Sequence, residues 1–202
     1  MSKLQLSLVL CGVGVLGCVN VQAESWQLAK DDAGIKVYLS DVPGSQYKAY
    51  RATTTVNASI EQLLALQADV AGSCKWIFEC QQQSVVKTEG AQSWLYARFS
   101  APWPVTARDS VLLVTTSTSA DGTVTRLLQA LPEFLTKEQG FVRVSRVDGF
   151  WTLQPKSTDT VEVVYQAHME PGGSVPSWLA NSFVVDAPFN TLQAFRSAAE
   201  KH

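Results

Sequence analysis

Histidine is nearly missing from this chain of 202 residues: His168 and the terminal His202 are the whole supply. No H-E-x-x-H metal helix can be written with them, and no G-x-S-x-G elbow, phosphate loop or dinucleotide fingerprint occurs elsewhere. Charge is sparse too. Sixteen Lys and Arg stand against 18 Asp and Glu, a formal net charge of -2, so there is no basic excess of the kind that binds nucleic acid. Internal repeats, low-complexity tracts and Gly/Ser linkers are all lacking, which leaves one domain with a single substantial core.

What is present begins with an apolar run over 4–15 behind Lys3, followed by Val21-Gln22-Ala23 before Glu24. A run this short falls below the ~20 residues that span a bilayer. With its positive start and small-residue end it reads as a secretory signal peptide, residues 1–23, with a mature domain at 24–202 and export to a periplasm. Val15-Leu16-Gly17-Cys18 is also similar to a bacterial lipobox, so a lipoprotein anchored through Cys18 is the alternative.

Two of four cysteines, Cys11 and Cys18, lie in that segment, leaving Cys74 and Cys80. Their spacing fits neither a C-x-x-C redox motif nor the usual zinc pattern, and in an oxidising compartment a structural disulfide is the expectation.

Alternation of apolar and polar residues predicts strands over 35–42 and 46–56, a hairpin turning at Pro43-Gly44-Ser45. Ile60, Leu63, Leu64 and Leu66 then share one helical face, with Ser59 or Asn57 as N-cap. Further strands are expected over 84–88, 94–101, 110–118, 124–131, 142–153 and 161–169, an antiparallel meander of seven or more. One long amphipathic pattern remains. Val184, Val185, Phe189, Leu192, Phe195 and Ala199 make a wide apolar stripe on a C-terminal helix that covers the sheet, with Pro188 bending it.

Two connections carry the most information. Ala101-Pro102-Trp103-Pro104-Val105 leads through Thr106-Ala107-Arg108-Asp109 into a strand, and Glu170-Pro171-Gly172-Gly173-Ser174-Val175-Pro176 leads into the helix at Ser177-Trp178-Leu179. With Trp26 and Gly34-Ile35-Lys36-Val37-Tyr38, Trp76 and Cys80, and Gly149-Phe150-Trp151-Thr152-Leu153-Gln154-Pro155, all in that order, the chain resembles the START (StAR-related lipid-transfer) domain in a bacterial secreted form. The resemblance implies an α+β helix-grip fold, START/Bet v 1-like, in which a curved antiparallel sheet wraps around the C-terminal helix. It also implies a lipid or other hydrophobic ligand held between sheet and helix by a monomeric carrier, without catalytic residues, cofactor or metal.

Strand alternation assigns candidate lining residues. Val161, Val163, Tyr165, Ala167 and Met169 are expected inward, with Glu162, Gln166 and His168 outward and solvated. By analogy with START domains, Ser110, Leu112, Val114 and Thr116 are placed inward. Val184, Leu192 and Phe195 come from the helix. Arg98 and Arg126 are candidate headgroup contacts, as are Tyr96, Tyr165 and Thr116. Sterol-carrying START domains place an arginine a few residues beyond the Arg-Asp pair. Val114 stands there instead, which leaves fatty acid, phospholipid or another hydrophobe. Arg108-Asp109 is read as fixing the strand entry, with ligand contact the alternative. Pro171-Gly172-Gly173 is either a hinge that lets the helix lift or a plain turn. Cyclases exist in the wider helix-grip superfamily, so Glu133, Glu170 and Asp186 are the carboxylates left for acid–base work. Trp103 and Trp178 would touch a membrane or dock an envelope partner.

Overall fold

The computed structural model describes residues 25–201; the expected signal peptide, with Cys11 and Cys18, lies outside them. Ten strands form one sheet, β1 (Gln27–Asp32), β2 (Ile35–Ser40), β3 (Ala49–Val56), β4 (Cys80–Glu89), β5 (Gln92–Phe99), β6 (Arg108–Thr118), β7 (Val124–Ala130), β8 (Val142–Arg143), β9 (Arg146–Ser157) and β10 (Thr160–Glu170). The spatial order is β1-β2-β3-β10-β9-β7-β6-β5-β4, antiparallel throughout except that β8 runs parallel beside the start of β6. Two α-helices, α1 (Ile60–Ala68) and α2 (Ser177–Ala199), and a short 3-10 turn (Ser73–Lys75) complete the described fold.

Local chemistry accounts for several boundaries. Ser59 Oγ accepts from Gln62 N–H while Gln62 Oε1 accepts from Ser59 N–H, a reciprocal capping box that starts α1. Gly149 faces Ala167 across the ladder of β9 and β10. A Cβ there would lie 2.5 Å from the Gln166 carbonyl oxygen, so only glycine lets these strands approach.

Two expectations are corrected. The strand expected over 142–153 is two, because Val144 N–H donates to the Asp109 carbonyl at 2.9 Å and Ser145 N–H to that of Glu170 at 3.1 Å, which turns the chain between β8 and β9. And β1 makes an unanticipated first hairpin with β2, turning at Ala33 (φ 49°) and Gly34 (φ 73°). Both turn residues have positive φ, as a two-residue hairpin requires, but alanine is a poor advertisement for that conformation.

The core is asymmetric. Helix α2 packs on β2 and β3, burying Phe189, Leu192, Phe195 and Ala199 against Ile35, Val37, Ala52, Val161 and Val163. Trp76, Trp151 and Phe195 meet edge to face at centroid separations of 4.9 to 6.0 Å, and Trp151 stacks on Tyr165 at 4.2 Å. That aromatic cluster borders the filled core, and beyond it α2 stands off the β5–β7 part of the sheet instead of packing onto it.

Candidate lipid site

A cavity of about 330 Å³ occupies that space. Leu95, Leu112, Val114, Leu128, Val147 and Met169 supply its sheet wall, and Trp76, Trp151 and Tyr165 its floor. The roof is the N-terminal half of α2, through Leu179, Ala180, Phe183, Val184 and Ala187. Pro188, fully buried and without an N–H for the Val184 carbonyl, divides this roof from the core-anchoring half of the helix. One side is the segment after α1, where Ser73 to Glu79 is clasped by the Cys74–Cys80 disulfide. The remaining side is the Pro102–Val105 connection, which contains a cis Trp103-Pro104 bond.

The roof is held at its open end by polar contacts. Tyr47 Oη donates to the Val175 carbonyl (3.2 Å), Lys48 N–H donates to Asn181 Oδ1 (3.0 Å), and Asn181 Nδ2 donates to the Gln46 carbonyl (3.3 Å). Gly172 and Gly173 both have positive φ, and a Cβ on Gly172 would meet the Arg143 carbonyl oxygen at 2.4 Å, so this connection is a built turn. Trp103 and Trp178, 92% and 73% exposed, flank the roof and the adjoining connection.

Of the lining candidates, Leu112, Val114, Tyr165, Met169 and Val184 stand on the cavity wall. Ala167 is buried but is not on that wall. Leu192 and Phe195 are wholly buried in the packed core and do not line the cavity, because the helix stripe continues past the point where the hollow ends. Thr116 lies in a neighbouring cleft under α1 rather than in the cavity itself.

The two headgroup candidates separate. Arg126 on β7 lines both the cavity and the cleft. Arg98 is on the opposite sheet face, where it bonds to Glu138 and, at 3.2 Å, to Tyr96 Oη; Tyr96 in turn reaches Asp109 at 3.1 Å. Burial, followed by the Glu138 contact, pushes the Tyr96 phenol up to about 12. Neither Arg98 nor Tyr96 can meet a ligand in the cavity.

Arg108 and Asp109 also part company, as adjacent strand residues must. Asp109 receives both Arg143 Nε (2.9 Å) and Nη2 (2.8 Å), a buried bidentate pair that ties β8 to β6. Arg108 faces the cavity, bonded to the Thr106 carbonyl, beside Ser110, whose buried Oγ has no hydrogen-bond partner. The even-numbered side of β6 carries both, so Arg108 shares the face on which the START resemblance placed Leu112 and Val114.

His168 is buried at 7% exposure rather than solvated. Ser45 Oγ lies 3.1 Å from its Nε2 and donates to Glu170 Oε1 at 2.6 Å. This is not a catalytic relay: serine and carboxylate share one ring nitrogen, Nδ1 has no partner, and the group faces away from the cavity. Among the described residues no His, Cys, Asp or Glu cluster is arranged to hold a metal.

A curved antiparallel sheet closed by a C-terminal helix, hollow on one side of it, defines the helix-grip class of proteins. The comparisons narrow the class. The START domain family matches residues 16–202, and the chain belongs to it. It is 56% identical to an uncharacterized protein of Pseudomonas aeruginosa over 93% of this chain and 92% of that one. Among solved structures, the STAR-related lipid transfer protein of Xanthomonas axonopodis is 39% identical, with a TM-score of 0.81 over 87% of this chain and 98% of that one. Human STARD10, at 16% identity, has a TM-score of 0.78 over 88% of this chain and 74% of that one, a likeness of fold alone.

Proposed function

We propose that this protein binds a hydrophobic ligand, a lipid, in the cavity between the sheet and the N-terminal half of α2, and carries it as a monomer through the periplasm. The observation that supports this most is an unfilled, mainly apolar hollow in a domain whose other half is tightly packed. Each methylene transferred into it gains on the order of 0.8 kcal/mol, so a simple chain can be held without catalytic machinery. Family membership and the lipid-transfer name of the Xanthomonas relative point the same way. The signal-like N-terminus supports export, and Trp103 and Trp178 supply amphipathic rings for transient membrane contact during loading.

Native mass spectrometry of the mature protein, purified from its own envelope without detergent and then extracted with organic solvent, tests the reading. A stoichiometric lipid adduct is the expected result. An empty protein that also refuses fatty acids, phospholipids and sterols would overturn it.

A further inference from the structure

The cavity's ionisable groups do not balance. Arg108 and Arg126 both stand on its wall, and among the described residues neither forms an ion pair. Glu79, the carboxylate on the same wall, is exposed and bonded to Ser100 at the rim. Arginine keeps its proton in proteins, so the hollow carries positive charge without an ion-paired counter-charge against a mainly apolar lining. Removing guanidinium from water without a counter-charge is costly, and surroundings of this kind are normally completed by an acceptor.

The two cations are at opposite ends. Eight residues of β6 separate Arg108 from Thr116, the register partner of Arg126, or roughly 26 Å of extended strand. Their surroundings differ. Arg108 is closely bonded to the Thr106 carbonyl. Arg126 makes a single long hydrogen bond, 3.3 Å from Nη1 to the Gln67 carbonyl. The Gln67 side chain beside it is buried at 5% exposure, and its Oε1 has no partner. Both residues line the cavity and the adjoining cleft beneath α1, so a polar head placed between them can keep contact with water while its tail lies in the apolar hollow. A half-turn of the Gln67 amide presents its NH2 to such a head.

We infer that Arg126, with Gln67, is an anion seat, and that the ligand is an amphiphile with an ionised head and an apolar tail. This rests on the carrier reading and specifies its substrate class. A carboxylate and a phosphate monoester both meet the chemistry, since either accepts two parallel N–H bonds from guanidinium.

The test is calorimetric titration of delipidated protein with decanoate, decyl phosphate, decanol and decylamine, which share one tail. Expected is tighter binding of an anion than of decanol, and weakest binding of the amine. Arg126→Gln should lower affinity for the preferred anion about 10-fold or more while moving decanol by less than about 2-fold. Arg126→Lys should recover part of the loss. Arg98→Gln, on the other sheet face, is the charge-matched control, and melting curves confirm that each variant is folded. Which anion binds tighter distinguishes a fatty-acid head from a phosphate head. Equal binding of all four probes would sink the anion seat and leave the carrier reading standing. A preference for anions that survives Arg126→Gln but disappears in Arg108→Gln would likewise overturn it. No binding of any probe, nor of longer lipids, would remove the carrier reading itself.

Discussion

At the scale of single residues, the structure turns on side chains whose neighbours were not visible along the chain. His168 is one. Burial holds its imidazole below the ordinary value near 6.5, while Glu170 and Asp148 pull upward, Arg146 pushes down, and the Tyr47 backbone contact raises it slightly. The unfolded imidazole takes a proton as pH falls through about 6.5; the folded one resists until lower pH. Its contribution to stability is therefore fully present above about 6.5 and is lost as pH falls from there toward the folded value. The melting temperature should drop between about pH 7.5 and pH 5, and drop less in His168→Gln. Identical slopes by differential scanning calorimetry would show that the ring is not linked to folding. Arg98 teaches the complementary lesson. Its alternation on β5 was readable, but which side of that strand becomes concave depends on how the sheet curls around α2.

At the scale of elements, the segment between α1 and β4 is the most consequential connection. It carries Trp76, Ile77 and Phe78 to the cavity wall, and the Cys74–Cys80 bridge closes it. A ring of about seven residues removes chain entropy from the unfolded state worth about 2 kcal/mol. The double variant Cys74→Ala, Cys80→Ala should then melt about 4–8 °C lower in non-reducing buffer. With its wall loop released, it should also exchange a fluorescent fatty acid faster in stopped-flow measurements. An unchanged melting temperature would mean that packing of Trp76 against Trp151 and Phe195 fixes the loop without the bridge. The spacing of the two cysteines was legible; that their loop walls a hollow was not.

At the scale of the whole molecule, the protein is an anchored half and a hollow half joined along one helix. The C-terminal part of α2 fills the space over β2 and β3, and its N-terminal part roofs the cavity, held by Asn181 and Tyr47 and divided from the anchor at Pro188. Trp178 is exposed in the first turn of that roof, and Trp103 is exposed in the Pro102–Val105 connection on the cavity's side. Replacing both by alanine should weaken co-sedimentation with phosphatidylcholine vesicles about 3- to 10-fold and slow lipid transfer between vesicles. Ligand already bound should be retained, since neither ring lines the cavity. If transfer is unaffected and a soluble partner is lost instead, the two rings form a docking surface for protein.

Residue order alone determined much of the elements: a cap for α1 at Ser59 or Asn57, the shared face of Leu112 and Val114 on β6, and the apolar stripe of α2. Each is a local property, set by backbone sterics or by the periods of strand and helix. Tertiary structure decided where filled core gives way to hollow. It put Leu192 and Phe195 in the packed core and Val184 on the cavity wall, turned Arg98 outward, and left Arg108 and Arg126 on that wall without an ion-pair partner among the described residues. Periodicity tells which residues share a face. Only the closure of a curved sheet around one helix tells which face is concave, and how much of the concavity the side chains fail to fill.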